Sequence, residues 1–395
     1  MKSFLYKIYT YSIFDDLVFI YPLYAVMFLD FGLTAIQISI ILTVWSATAF
    51  ILEVPSGVLA DKYSRKNILF LAQLSRIIGF AIWILFPTFI GFLIGFILWG
   101  IKSAFTSGTF EALVYDELKK FGRESEYTKI IGREKSISFV GFTIAGIGAS
   151  FAIHYGYQFV LIISIISLAI SAIAILLIPK AKAVESTGER KYFEVLKEGL
   201  RQSVKNISIL KLIIFISLVQ ALFGALDEYW SIFANDVGLP KAGLGIFFTV
   251  FGAVQALASF IAYKFENHSD KFFYGLFAVN GLLLVTASYL FNVPSLILLL
   301  VFSLFFKLID VVMQAKLQYS IDSATRATVS SVLGFFVELG VILLNLTFGF
   351  LARTNEYQFA FLTIGWVIVV LGVFYLIFIR KGNVVVVDTD KLPVG

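Results

Sequence analysis

The chain has 395 residues, of which 59% are hydrophobic and only 14% charged, with a net charge of +5 and no cysteine. Soluble globular chains average about 45–50% apolar and about 25% charged residues, so this composition excludes a soluble protein and points to an integral membrane protein. Without cysteine there are no disulfides and no thiol chemistry, and the modest positive charge is accounted for by membrane topology rather than by nucleic acid.

Twelve long apolar runs predict twelve transmembrane helices, over 8–29, 35–59, 67–86, 89–115, 133–153, 157–178, 209–234, 243–264, 272–291, 295–318, 327–351 and 357–379. The runs are continuous rather than alternating, which excludes a β-barrel. No short apolar core with a small-residue cleavage site opens the chain, so no cleavable signal is expected. An even number of spans puts both termini on one side. With that side in the cytoplasm, only Lys241 and Arg353 fall in outer loops, and Arg76, Lys102 and Lys307 within spans, while the other Lys and Arg face inward. The positive-inside rule therefore predicts a multi-pass protein of the cell (plasma) membrane with cytoplasmic termini.

The organisation expected is an N-terminal six-helix bundle over 1–180, a cytoplasmic linker over 181–206 and a C-terminal six-helix bundle over 207–395. The polar stretch "PKAKAVESTGERKYFEVLKEGLRQSVKN" (179–206) contains that linker. Its second part, Tyr192 to Leu200, reads either as solvated linker or as an amphipathic helix on the membrane face. Three pairs of motifs recur in order. Asp30-Phe31-Gly32-Leu33 returns as Asp236-Val237-Gly238-Leu239, "REKSISFVGF" (133–142) as "RATVSSVLGF" (326–335), and "YQF" occurs at 157–159 and 357–359. Two six-helix halves related by a pseudo-two-fold axis, with a site between them, are a transporter architecture.

Between the second and third spans lies "GVLADKYSRKNIL" (57–69). Gly57, Leu59, Ala60, Asp61, Lys62, Arg65, Lys66 and Leu69 match the G-x-L-A-D-[RK]-x-G-R-[RK]-x-x-L signature loop of the major facilitator superfamily, and Ser64 stands where glycine is usual. "NHSDK" (267–271) is a degraded second copy, with Asn267 and Lys271 in place of Asp61 and Arg65. The preceding "ILEVPSG" (51–57) resembles drug:proton antiporters of bacterial drug-efflux type. The resemblance implies the all-α facilitator fold and alternating-access transport. It implies a gate role for Gly57, Asp61, Arg65 and Lys66, with Asp61 and Arg65 latching onto the end of helix 4 at Asp116 and Glu117. Helix 5 reads "GFTIAGIGAS" (141–150), glycine-rich but lacking the proline of the antiporter pattern. Its Gly141, Gly146 and Gly148 permit close helix packing.

Ionisable residues within spans cost roughly 2.5–3.5 kcal/mol each on insertion scales and call for a reason. The acids are Asp15, Asp16, Glu53, Glu111, Asp227, Glu228, Asp310 and Glu338; the bases are Arg76, Lys102 and Lys307. The acidic excess must be protonated, hydrated in a cavity or balanced by a cationic ligand. Asp15 and Asp16 on helix 1, Glu111 on helix 4, Asp227 and Glu228 on helix 7 and Glu338 on helix 11 are the candidate proton-coupling or cavity acids. Which of Asp15 and Asp16 titrates stays open. Gln220, Gly224, Asp227 and Ser231 form a polar stripe along helix 7. Glu53 serves either the gate or proton binding. Lys307 and Asp310, three apart, pair on one helix face either structurally or at the substrate. Arg76 or Lys102 can neutralise an acid on a neighbouring helix, and which one does so stays open.

No metal motif, nucleophile motif or cofactor motif is present, and the only histidines are His154 and His268. The expectation is a monomeric secondary transporter, not an enzyme, without cofactor or nucleic-acid partner. It moves a small amphipathic or cationic solute across the bilayer, coupled to protons, as in multidrug efflux. Proton-coupled nutrient uptake and lipid or lysolipid flipping are the alternatives.

Overall fold

The computed structural model describes residues 1–178, 207–321, 326–354 and 356–378, leaving out some side chains, among them those of Asp61 and Lys62. The linker with its candidate amphipathic helix lies outside the described residues. Those residues form fifteen α-helices, short 3-10 turns and no strand. Eleven helical runs are long and apolar enough to cross a membrane. Together with the interrupted first segment, they make the twelve crossings of an all-α membrane protein.

The first crossing is α1 (Lys2–Asp16) and α2 (Tyr24–Asp30). The sequence predicts one continuous helix here. Pro22 explains the difference, because it lacks an N–H and its ring clashes with the carbonyl four residues back. Crossings two and three are α3 (Ala35–Lys62) and α4 (Arg65–Leu85). The fourth is α5 (Phe89–Thr106) continued by α6 (Thr109–Lys120), with Gly108 at φ 68° in the joint. The fifth and sixth are α7 (Tyr127–Ala152) and α8 (Tyr157–Leu176). The seventh is interrupted like the first, as α9 (Ile207–Asp227) and α10 (Trp230–Asp236). The remaining crossings are α11 (Lys241–Ile261), α12 (Asp270–Leu290), α13 (Leu296–Tyr319), α14 (Arg326–Leu351) and α15 (Tyr357–Phe378).

The repeated Asp-x-Gly-Leu motif is a helix stop. Gly32 and Gly238 take φ 83° and 97°, which glycine adopts without steric cost. Leu33 N–H then donates to Phe28 O at 3.0 Å and Leu239 N–H to Ala234 O at 2.9 Å, covering carbonyls that the helix end leaves open. Thr34 caps the following α3 in a capping box with Gln37.

The chain gathers into two compact units. The first comprises Met1–Glu189, Ala225–Gly252 and Ile342–Tyr357, and the second Arg190–Gly224, Ala253–Val341 and Gln358–Gly395. In the first unit α4 packs on α5 and α8, and α1 on α7 and α8. A buried cluster of Phe4, Ile8, Leu69, Phe110, Leu113 and Ile175 fills the end of this unit near Arg65. In the second unit α12 packs along α13. Large apolar side chains remain exposed along the helices, Ile173 of α8 at 56% and Val370 of α15 at 64%, as lipid-facing surface requires.

Candidate functional site

In the first unit the chain turns through 17–23 without regular helix, just after Asp15 and Asp16. The freed Ile20 N–H donates to Ser164 Oγ of α8 at 3.2 Å. Ser167 and Ser171 Oγ of the same helix donate to Phe14 O and Tyr11 O. A stripe of hydroxyls on α8 thus satisfies the backbone of the interrupted helix, as an apolar surrounding demands.

The C-terminal end of α1 carries the negative pole of its helix dipole, an unfavourable place for a carboxylate. Asp15 is compensated there by a cage. Its Oδ1 accepts from Gln73 Nε2 at 2.9 Å and from Arg76 Nη1 at 3.3 Å, and its Oδ2 accepts from Lys102 Nζ at 2.9 Å. Gln73 and Arg76 come from one face of α4, and Lys102 from α5. Arg76 is 2% exposed. Its guanidinium lies 4.4 Å from the ring centre of Trp99 and 5.4 Å from that of Tyr21, and these faces stabilise the cation. Its Nε and Nη2 are buried without a hydrogen-bond partner.

Asp16 takes no part in this cage and has Ser138 of α7 as a neighbour. Asp227 and Glu228 flank the second interruption, again at the end of a helix. Among the described residues neither carboxyl has a hydrogen-bond or ion-pair partner. α10 packs on α2, so the two interrupted crossings lie beside each other in this unit. Tyr229, next to them, is held by a 2.8 Å hydrogen bond to the Ser39 hydroxyl and by stacking on Phe348.

The second unit holds another caged carboxylate. Asp310 Oδ1 accepts from Gln220 Nε2 at 2.8 Å and from Gln314 Nε2 at 2.6 Å, and Oδ2 accepts from Lys307 Nζ at 3.0 Å. A cavity of about 200 Å³ opens beside it, lined also by Phe223 and Phe306. Of the polar stripe on helix 7, Gln220 serves this cage and Asp227 the interruption in the first unit. Glu338 sits on α14 at intermediate exposure.

At the signature loop α3 continues to Lys62, leaving Tyr63 and Ser64 as the connection. Arg65 pairs with Asp116 of α6. Lys66 Nζ donates to Ile178 O at 2.5 Å, where a cation meets the carbonyl end of α8. Gly57 is exposed and Glu53 points outward on the same helix. The side chain of Asp61 lies outside the described residues. Glu111, in the first turn of α6, lies near Tyr127.

A family model described as Major Facilitator Superfamily matches residues 9–300. The chain belongs to the Major Facilitator Superfamily. This facilitator is 21% identical over 242 residues to the uncharacterised MFS-type transporter YxaM of Bacillus subtilis (strain 168), an alignment covering 60% of this chain and 59% of that protein. The chain thus spans about three-fifths of the length of the curated relative it matches. Its fold is similar to that of the nucleoside transporter NupG, with a TM-score of 0.78 and 15% identity over 97% of this chain and 100% of the other. A D-xylose-proton symporter superposes with a TM-score of 0.67 and 13% identity over 96% and 98% of the two chains. A bacterial homologue of the human lysosomal transporter Spinster, inward-facing and occupied, gives 0.72 and 14% over 95% of both. At such identities these likenesses establish the facilitator fold alone.

Sequence reasoning misses four residues of this facilitator's sites. Gln73 and Trp99 complete the surroundings of Arg76, and Gln73, Arg76 and Phe80 share a face by i, i+3, i+7 spacing that points to them. Gln314 joins the Asp310 cage from one turn along α13. Glu134, in the repeat motif "REKSISFVGF", is 5% exposed, although its place among Arg133 and Lys135 suggests a solvated cluster.

Proposed function

We propose that this facilitator is a proton-coupled secondary transporter of a small organic solute. The observation that carries the reading is the pair of carboxyls without partners, Asp227 and Glu228, at the interruption of a crossing beside the one that bears Asp15 and Asp16. Carboxyls at open helix ends inside an apolar bundle bind protons or a cationic group. The two halves, 1–180 and 207–395, expose the site alternately to either side. Arg65, Lys66, Gly57 and Asp61 act at the gate near the cytoplasmic termini, and the protein works as a monomer in the cell membrane. Asp16, Asp227 and Glu228 are the coupling acids, with Glu111 and Glu338 secondary. Asp15 is bound to Arg76 and Lys102 and sets the geometry. The unpaired negative charge favours a cationic or amphipathic solute, moved outward in exchange for protons, as in multidrug efflux.

The cage around Asp310 supports a second reading, uptake of a neutral polar nutrient. Asp310 is already satisfied by three donors, so its cavity offers Gln220, Lys307 and two phenyl rings to an uncharged solute.

The test uses proteoliposomes with an imposed pH gradient and two probe solutes, the cation ethidium and the neutral nucleoside uridine. Gradient-driven ethidium movement that falls in Asp227→Asn and Glu228→Gln supports the first reading. Uridine movement that falls in Gln220→Ala supports the second. A gradient dependence unchanged in Asp16→Asn, Asp227→Asn and Glu228→Gln alike sinks the coupling role of these acids.

A further inference from the structure

Glu134 is a buried acid that neither reading uses. It lies on α7, the fifth crossing, with 5% of its surface exposed. Its Oε1 accepts from Ser138 Oγ, one turn along the same helix, at 3.2 Å. Its Oε2 is buried without a hydrogen-bond partner. The Lys135 ammonium stands 3.9 Å from that oxygen, too far for a hydrogen bond, and is largely exposed. Ser138 also neighbours the Asp16 carboxyl of α1, without a hydrogen bond between them in this conformation. Gly141 makes this meeting possible: a Cβ there would lie 2.4 Å from Ile13 O, so only glycine lets α7 approach α1 this closely. Ser138 and Glu134 follow Gly141 down one face of α7 at i−3 and i−7.

We infer that Asp16, Ser138 and Glu134 form a proton relay running from the helix 1 interruption toward the Arg65 end of the bundle. The inference rests on the proton coupling proposed above and deepens it by naming the way out. When Asp16 is protonated, its proton passes to Ser138 Oγ as the serine proton passes to the Glu134 carboxylate. Asp16 ends ionised, Ser138 unchanged and Glu134 protonated, with no net charge created. Three further charged groups act on the upper end, Asp15 beside it on α1, Arg76 on α4 and Lys102 on α5. At the lower end stand Lys135 and, near the start of α7, Glu111 of α6 with Tyr127. The internal repeat separates this role from simple helix packing. The second copy of the motif keeps the serine as Ser331 and the glycine as Gly334, but has Ala327 where Glu134 stands. Packing alone therefore does not call for the acid.

The test uses the full chain in proteoliposomes with a trapped pH dye and ethidium as the probe. Glu134→Gln and Ser138→Ala are expected to lower ethidium-driven proton flux by about tenfold or more, with ethidium counterflow near the wild-type rate. Ser138→Thr, which keeps the hydroxyl, restores the flux. Flux in Glu134→Gln within about twofold of wild type overturns the relay. If wild type shows no ethidium-linked proton flux, that failure concerns the proposed solute or the coupling, and infrared titration of the purified protein without solute decides the relay. A protonated-carboxyl band whose pH profile changes in Asp16→Asn, Glu134→Gln and Ser138→Ala supports it. A profile that Glu134→Gln and Ser138→Ala leave unaltered overturns it.

Discussion

The Tyr157 hydroxyl donates to Asp30 Oδ2 at 2.5 Å, and so joins two of the motifs that recur along the chain. Asp30 ends α2 and Tyr157 begins α8. The second copies, Asp236 and Tyr357, make no such bond, and the Tyr357 hydroxyl is buried without a hydrogen-bond partner. The motifs thus tie the end of the first crossing to the start of the sixth in the first half, and the second half keeps the residues without the bond. In the first copy Lys241 of α11 completes the contact by pairing with Asp30 and lying over the Tyr157 ring.

This contact predicts a weak latch. Lys241 and Asp30 are 42% and 34% exposed, so solvent screens the pair to at most about 1 kcal/mol, a factor of about five. Because the chain has no cysteine, Leu33→Cys, at a position 6% exposed, is a clean reporter. Lys241→Gln and Tyr157→Phe are expected to raise its labelling by an impermeant maleimide up to about fivefold. Unaltered labelling in both would remove the latch from the conformational cycle.

The two sets of acids differ in what they hold, which predicts unequal effects on stability. Asp15→Asn leaves the buried Arg76 and the partly buried Lys102 as uncompensated cations and is expected to cost about 3–5 kcal/mol. Asp227→Asn removes a carboxylate that has no partner and should change stability by less than about 1 kcal/mol. Thermal unfolding in detergent compares them directly, and equal losses would contradict the different roles assigned to the two acids.

These differences also mark how far the sequence reaches. The crossings are legible because a hydrocarbon environment demands long apolar runs, and the Lys307–Asp310 pair is legible because its partners are three residues apart on one helix. The interruption of helix 1 is announced by Pro22. That of helix 7 is not, since Asp227, Glu228 and Tyr229 carry no helix breaker and the turn depends on Tyr229 being held by Ser39 and Phe348 from elsewhere in the chain. The union of Asp15 with Arg76 and Lys102 depends on how α1, α4 and α5 pack, which no local spacing encodes. Glu134 hides among basic neighbours, and only its position one turn from Ser138 and two from Gly141 gives it away.

The serine stripe on α8 predicts a graded series. Ser164→Ala strips the Ile20 N–H of its partner in an apolar setting and is expected to cost about 1–3 kcal/mol. Ser171→Ala removes a donor from Tyr11 O, a carbonyl within α1 that also serves the helix ladder, and should cost about 0.5–1.5 kcal/mol. Unfolding midpoints of the two variants give the order, and a Ser171→Ala loss equal to or above that of Ser164→Ala would show that the interruption is not held by this bond.

Two glycines separate packing from gating. A Cβ on Gly245 of α11 would lie 2.0 Å from Gly146 O of α7, a backbone atom that cannot swing aside. Gly245→Ala is therefore expected to cost about 1–3 kcal/mol by overpacking, and to slow transport with it. At Gly57, on α3 beside the signature loop, a Cβ would meet nothing within 4 Å. Alanine there is a better helix former than glycine by roughly 0.5–1 kcal/mol, so Gly57→Ala should match or exceed the wild-type unfolding temperature. If its solute counterflow nonetheless falls, the loss cannot come from folding, and Gly57 is needed where the loop closes against a neighbour in another conformation. If counterflow is unchanged, its proposed role at the gate is withdrawn, while the proposal for Arg65 and Lys66 still rests on their contacts with Asp116 and Ile178.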